Sequence, residues 1–275
     1  MKFILSAILV IAFALTSFGL NPSRTYKQLP DKYNMEYTAH KVKANDGSAE
    51  LNIWYFPSAK EKTTNLVLIA HNGEGNMADY LRRVDQFTAA GYNVVTFDYR
   101  GYGESSDFEI DNNMYIYPHF QNDMETMIDW CRKQHVSTFN LYGWGMGAGL
   151  SLGVGWSRTE IKQIIADTPF LSMEDLEERF SEWDTPMEVP FAGYEKRFEP
   201  IYSLDNAGGK NIEKVLLIVG SNDVLYDKDA MNSLKTKQKK VIGPVYIVEN
   251  PDRKDNFSID KVAYFKQISA TLGVK

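Results

Sequence analysis

Short, largely apolar runs recur along this chain, and four of the six are followed by a longer segment with apolar residues at helical spacing. The runs lie at residues 65–70, 92–97, 138–142, 161–166, 214–219 and 245–249. Segments with helical spacing lie at residues 77–89, 122–134, 147–156 and 259–272; in the second, Met124, Met127, Ile128 and Cys131 share one stripe. A strand that is apolar at most positions, without alternation, is buried on both faces, which is the habit of parallel strands. Strands alternating with helices therefore predict an α/β fold, a mostly parallel sheet with helices on both faces. The exception comes first: residues 37–43 alternate, Asn45-Asp46-Gly47 is a tight-turn signal, and residues 51–56 return as the second arm of an antiparallel hairpin. Residues 171–209 break the alternation, with Pro186, Pro190 and Pro200 interrupting any long helix. They read as a helical, lid-like insertion over the carboxyl edge of the sheet. Its aromatics, Phe180, Trp183, Phe191, Tyr194 and Phe198, read first as packing that fixes the insertion to the sheet, and second as an apolar cover over a cleft.

The N-terminus differs in kind from the rest. Lys2 is followed by residues 3–15, apolar apart from Ser6, and then by small residues at Ser17 and Gly19. That order is the pattern of a cleaved secretory signal peptide over residues 1–20. The rival is an uncleaved membrane anchor over residues 3–20, which is just long enough to span. The polar run 21–27 and the small residues favour cleavage, so the chain is expected to be exported, periplasmic or secreted, with a membrane involved only if the leader stays attached. Residues 21–275 show no linker and no repeat, and are expected to form one domain. The single cysteine, Cys131, can form no internal disulfide. A net charge of −6 argues against a nucleic-acid surface, which needs clustered Lys and Arg. No His, Asp or Glu cluster has metal-ligand spacing, and no cofactor is expected.

The run at 138–142 leads into Gly143-Trp144-Gly145-Met146-Gly147 and then a helix. A strand, a G-x-S-x-G turn and a helix make a nucleophile elbow, and here a glycine stands where the serine belongs. Three further motifs accompany it: His71-Asn72-Gly73 after a buried strand, Asp98-Tyr99-Arg100-Gly101-Tyr102-Gly103-Glu104-Ser105 after the next, and Gly220-Ser221-Asn222-Asp223 after a later one. Taken together and in this order, they resemble the α/β-hydrolase superfamily, particularly its serine-aminopeptidase-like and lysophospholipase-like branch, over residues 37–272. The resemblance implies an α/β-hydrolase fold. It makes Gly145 the nucleophile position and Asp223 the triad acid. Asn72, Gly73 and Met146 become the oxyanion-type backbone donors.

The triad histidine should precede the last helix. That loop, residues 250–257, contains no histidine, and the family's H-x-N-F-like ending sets Lys254 in its place. A serine without an adjacent base is a weak nucleophile, and here both groups are missing. The expectation is a non-catalytic protein acting as a binding or interaction module for a small molecule or protein, of which neuroligins are a precedent in the superfamily. The alternative is an active exported esterase or peptidase with a displaced nucleophile, for which Ser105, Ser106 and Ser221 are candidates near the carboxyl edge and His119 a candidate base. His40, His71 and His135 read as structural. A minor alternative takes Gly143-x-Gly145-x-x-Ala148 as a dinucleotide fingerprint, with Asp167 as the ribose-binding acid.

Overall fold

The computed structural model describes residues 19–60, 62–134, 138–184, 186–190, 192–251 and 255–274. Its strands are β1 Asn21–Pro22, β2 Thr38–Lys43, β3 Glu50–Phe56, β4 Leu66–Ala70, β5 Glu74–Gly75, β6 Asn93–Phe97, β7 Phe139–Trp144, β8 Ile161–Asp167, β9 Lys214–Gly220 and β10 Tyr246–Val248. The helices are α1 Leu81–Ala90, α2 His119–Lys133, α3 Met146–Trp156, α4 Met173–Ser181, α5 Pro200–Ser203, α6 Lys228–Lys237, α7 Asn256–Ile259 and α8 Lys261–Leu272. An 8-stranded sheet has the order β10-β9-β8-β7-β4-β6-β3-β2. From β6 to β10 every pairing is parallel. The predicted hairpin is β2–β3, antiparallel, and β3 joins β6 in the same sense.

The apolar runs became strands because both faces of the sheet are covered. Leu68, Val95, Leu141, Ile164 and Leu217 belong to one core with α2 and α3. Val67, Ile69, Val94, Ile165 and Ile218 belong to a second core with α1 and α8. Helix α3 is buried along its whole length. It carries four glycines from Gly147 to Gly155. A Cβ on Gly153 would come within 1.8 Å of the Phe198 carbonyl oxygen, so the insertion's backbone rests directly on this helix. Phe180, Tyr194 and Phe198 are buried in the first core and Trp183 packs against it, so these aromatics hold the insertion down. Phe191 lies outside the described residues, as do His135 and Lys254.

Element boundaries moved where caps decide them. The helix expected over 77–89 opens as a 3₁₀ turn, Met77–Tyr80, capped by Asn76 and Asp79 in a reciprocal box. The one expected over 259–272 is two, because Asp260 stops α7 and caps α8 through the N–H groups of Val262 and Ala263. The small parallel pair β1–β5 had no counterpart in the sequence reading. Except for Gly19 and Leu20, the expected leader lies outside the described residues. Among the described residues no helix is long and apolar enough to cross a membrane.

The candidate active site and its relatives

Gly145 sits between β7 and α3 with φ 55° and ψ −121°, a conformation strained for any residue bearing a Cβ. Its N–H donates to the Asp167 carbonyl (2.8 Å), and its carbonyl accepts the N–H groups of Ala148 and Gly149 as the helix begins. The elbow is tight because its flanking glycines touch backbone. A Cβ on Gly143 would lie 2.2 Å from the Gly147 oxygen, and one on Gly147 2.3 Å from the Ala70 oxygen. Gly145 itself has more room: an added Cβ would meet only Asn72, at 3.3 Å. It is half-buried.

Asp223 follows β9, two strands from the elbow strand, at the same carboxyl edge. Its Oδ1 accepts the N–H groups of Leu225 and Tyr226, both at 2.9 Å, which closes the turn before α6. Burial, together with the Asp223 carboxylate nearby, pushes the Tyr115 hydroxyl pKa up. The described residues that flank Lys254 are anchored. Asp255 pairs with Arg83. Asn256 donates to Asp167 Oδ1 (2.7 Å) and accepts from Asn250 (2.8 Å).

Two of the three expected oxyanion donors are engaged within their own loop. The Asn72 N–H donates to Tyr80 Oη (3.0 Å) and the Gly73 N–H to His71 Nδ1 (3.2 Å). Neither can serve an outside acceptor without giving up that bond. Met146 opens α3 as its first residue. Burial lowers the His71 pKa to about 3, so the ring is neutral, and it packs against Tyr99 and Tyr102 at 4.6 and 4.9 Å. This histidine supports its loop.

The other candidate nucleophiles have structural partners. Ser105 Oγ donates to the Asp98 carbonyl (2.7 Å) and accepts from Asn52 N–H. Ser106 and Ser221 accept the N–H groups of Glu50 and Asn250. His119 begins α2 against Phe108, and His40 bonds Thr38 on the edge strand β2. The dinucleotide reading fails on Asp167. That residue is fully buried and accepts from Tyr264 (2.7 Å) and Asn256, so its carboxylate is not presented to a ribose.

Three features at this edge escaped the sequence reading. The first is a strap. Asn21 N–H donates to the Gly73 carbonyl and Ser23 N–H to that of Gly75, while Gly103 N–H donates back to Ser23. Tyr26 donates to Asp98 and accepts from Asn52 and Glu104. Residues 20–26 thus join the His71-Asn72-Gly73 loop to the Asp98–Ser105 loop. Leu20 is buried above Gly73, where an added Cβ would meet its side chain at 2.7 Å. The second is Arg83, whose guanidinium lies among the rings of Tyr80, Phe257 and Trp144 at 4.8, 4.6 and 5.4 Å. The third is a buried chain of hydroxyls: Arg83 Nε donates to Tyr142 (2.8 Å), Tyr142 bonds Tyr264 (3.0 Å), and Tyr264 donates to Asp167. A two-residue strand and an arginine on a helix's inner face leave no periodic mark, and only tertiary packing reveals them.

Burial raises the Asp167 carboxyl from 3.8 to about 6, against the bonds from Tyr264 and Asn256 that lower it. The folded chain therefore holds this proton more tightly than the unfolded chain. The stabilising contribution is complete below about pH 4 and is lost as pH rises through about 6. Asp167→Asn is expected to flatten the stability curve over that window, because the Tyr142–Tyr264 hydroxyl pair can reverse and let Tyr264 accept from the amide. Thermal melts of both proteins from pH 4 to 8 check this. Parallel curves would refute it.

The serine aminopeptidase (S33) family model matches residues 61–189, from just before β4 to within the insertion. The uncharacterized protein YfhR of Salmonella typhimurium is 25% identical, the alignment covering 93% of this chain and 88% of YfhR. Among solved structures, the esterase Pf2001 of Pyrococcus furiosus matches with a TM-score of 0.70 at 19% identity, over 92% of this chain and 98% of the esterase. A serine hydrolase of Xanthomonas campestris, described as lacking a lid, matches with a TM-score of 0.56 at 17% identity, over 86% and 94%. The fold is the α/β-hydrolase fold over nearly the whole described chain, and the strand–elbow–helix unit at Gly145 falls within the matched family region. The chain thus has the α/β-hydrolase fold, and over residues 61–189 it is similar to the serine aminopeptidase family.

Proposed function

We propose that this protein is a non-catalytic member of the superfamily, a binding or interaction module exported by its leader-like residues 1–20. The observation that carries the proposal is Gly145 at the elbow, with backbone angles that suit a raised nucleophile and no side chain to act as one. The hydroxyls of Ser105, Ser106 and Ser221 support it, since each already holds a turn or strand in place. So do the Asn72 and Gly73 N–H groups, both engaged within their own loop.

The test is a serine-directed fluorophosphonate probe together with a panel of activated esters. The unmutated chain is expected to give neither labelling nor turnover, and labelling that tracks hydrolysis would sink the reading. Gly145→Ser is expected to fold, since the new Cβ meets only Asn72 at 3.3 Å, and to lose about 1–3 kcal/mol through its positive φ. It should remain inactive, because no base takes the serine's proton. Gly145→Ser combined with Lys254→His rebuilds serine, base and acid around Asp223, and is the variant expected to gain turnover.

A further inference from the structure

A cavity of about 440 Å³ opens beside the elbow, bounded by the strap, the Asn72–Gly75 loop and the start of α1. Ligand cavities run from about 300 to 1,000 Å³. Asn72 and Trp144, the neighbours of Gly145 in space and in sequence, line this one, whereas neither Gly145 nor Asp223 does. It lies next to the degenerate catalytic position without including it.

The lining groups are of two opposite kinds. Arg83 and Lys27 only donate hydrogen bonds, and the carboxylates of Glu74, Asp79 and Asp255 only accept them. The two cations face three carboxylates, so an entering anion meets repulsion from Asp255 and Glu74, and an entering cation meets Arg83. Arg83 is 4% exposed. Its Nε and one Nη are bonded to Tyr142 and Asp255, and its other Nη has no protein partner among the described residues. Trp144 is half-buried, and its indole N–H is likewise without a partner there. Here is an aromatic surface ringed by separate donors and acceptors, with a deep donor still unfilled.

We propose that this cavity binds a neutral, polyhydroxylated small molecule, a mono- or disaccharide, through Trp144, Arg83 and Glu74. A sugar hydroxyl both donates and accepts, so it can bridge donor-only and acceptor-only neighbours that a charged ligand cannot satisfy together. The C–H-rich face of a pyranose ring covers an aromatic surface such as Trp144. The strap supplies one wall through Asn21, Pro22 and Ser23, which gives that segment a part in recognition. The inference deepens the reading of the protein as a binding module and rests on it.

The experiment is saturation-transfer-difference NMR on the full chain with D-glucose, N-acetyl-D-glucosamine and maltose, and with acetate and ethylammonium as charged probes. At least one sugar is expected to saturate at millimolar concentrations, and neither charged probe to bind. Trp144→Ala should weaken that binding about tenfold, the worth of one stacked aromatic. Glu74→Ala, on the exposed rim, should weaken it as well with the fold unchanged by circular dichroism. The proposal is overturned if no sugar saturates, if either charged probe binds in their place, or if Glu74→Ala binds as the parent does. Esterase activity in the parallel assay would remove the non-catalytic reading and leave the sugar result standing, so the two failures are distinct.

Discussion

Gly147→Ala is expected to yield little or no folded protein, a far larger effect than the same methyl group at Gly145. The added carbon would sit 2.3 Å from the Ala70 oxygen and 2.5 Å from that of His71. The first atom belongs to the last residue of β4 and the second to the residue just after it; β4 is paired on both sides and cannot recede without tearing the sheet. Overpacking a core costs about 1–3 kcal/mol when side chains can adjust. Here only backbone could move, so the cost should exceed that range. Gly145→Ala, two residues earlier, carries a strain of about 1–3 kcal/mol and little steric conflict. Urea unfolding of the two variants beside the parent separates the cases, and a Gly147→Ala midpoint at or above that of Gly145→Ala would mean that α3 does not approach β4 as closely as described.

Asp123→Ala should destabilise the chain by about 3–5 kcal/mol, the cost of stranding a buried charge. Arg100 is 2% exposed and is gripped by Asp123, which donates nothing and accepts Nε at 3.0 Å, Nη2 at 2.6 Å and the Arg100 backbone N–H at 3.0 Å. Its remaining donors reach Ser48 and Asp46 in the hairpin turn, at 2.7 and 3.0 Å. One guanidinium therefore ties the loop after β6 to α2 and to the β2–β3 turn, and each tie is lost or left unbalanced when Asp123 goes. Arg24→Ala would break only an exposed pair with Asp107 and one bond to the Tyr102 carbonyl, and should cost far less. Chemical denaturation of both variants provides the comparison. Equal losses would show that burial is not what gives the Arg100–Asp123 pair its weight.

These residues also show what could be read in advance. Arg100 stood out as part of a loop motif, but Asp123 looked like one more polar residue on a helix, because nothing in the spacing of α2 announces a partner 23 residues back. The sheet was legible because strands buried on both faces are apolar at most positions, and the elbow because glycines on either side of Gly145 are forced by backbone contact. The engagement of Asn72 was not legible for a local reason: Tyr80, eight residues on, folds back to accept the Asn72 N–H and donates to the same residue's side chain. The buried run from Arg83 through Tyr142 and Tyr264 to Asp167 joins residues 83, 142, 264 and 167, a set that no local pattern connects.

The strap has a kinetic meaning as well. Residues 20–26 bond to positions 73–76, 98–104 and 114, and both loops they bridge must first be shaped by β4, β6 and the turns that follow. Closing such long loops is entropically costly until the receiving surface exists. This N-terminal stretch, synthesised ahead of everything it touches, is therefore among the last to settle. Until the loop after β4 and the Asp98–Ser105 loop are in place it lacks most of its partners, and the parent chain should refold with a late step in which protection of the Asn21 and Ser23 amides lags behind that of the central strands.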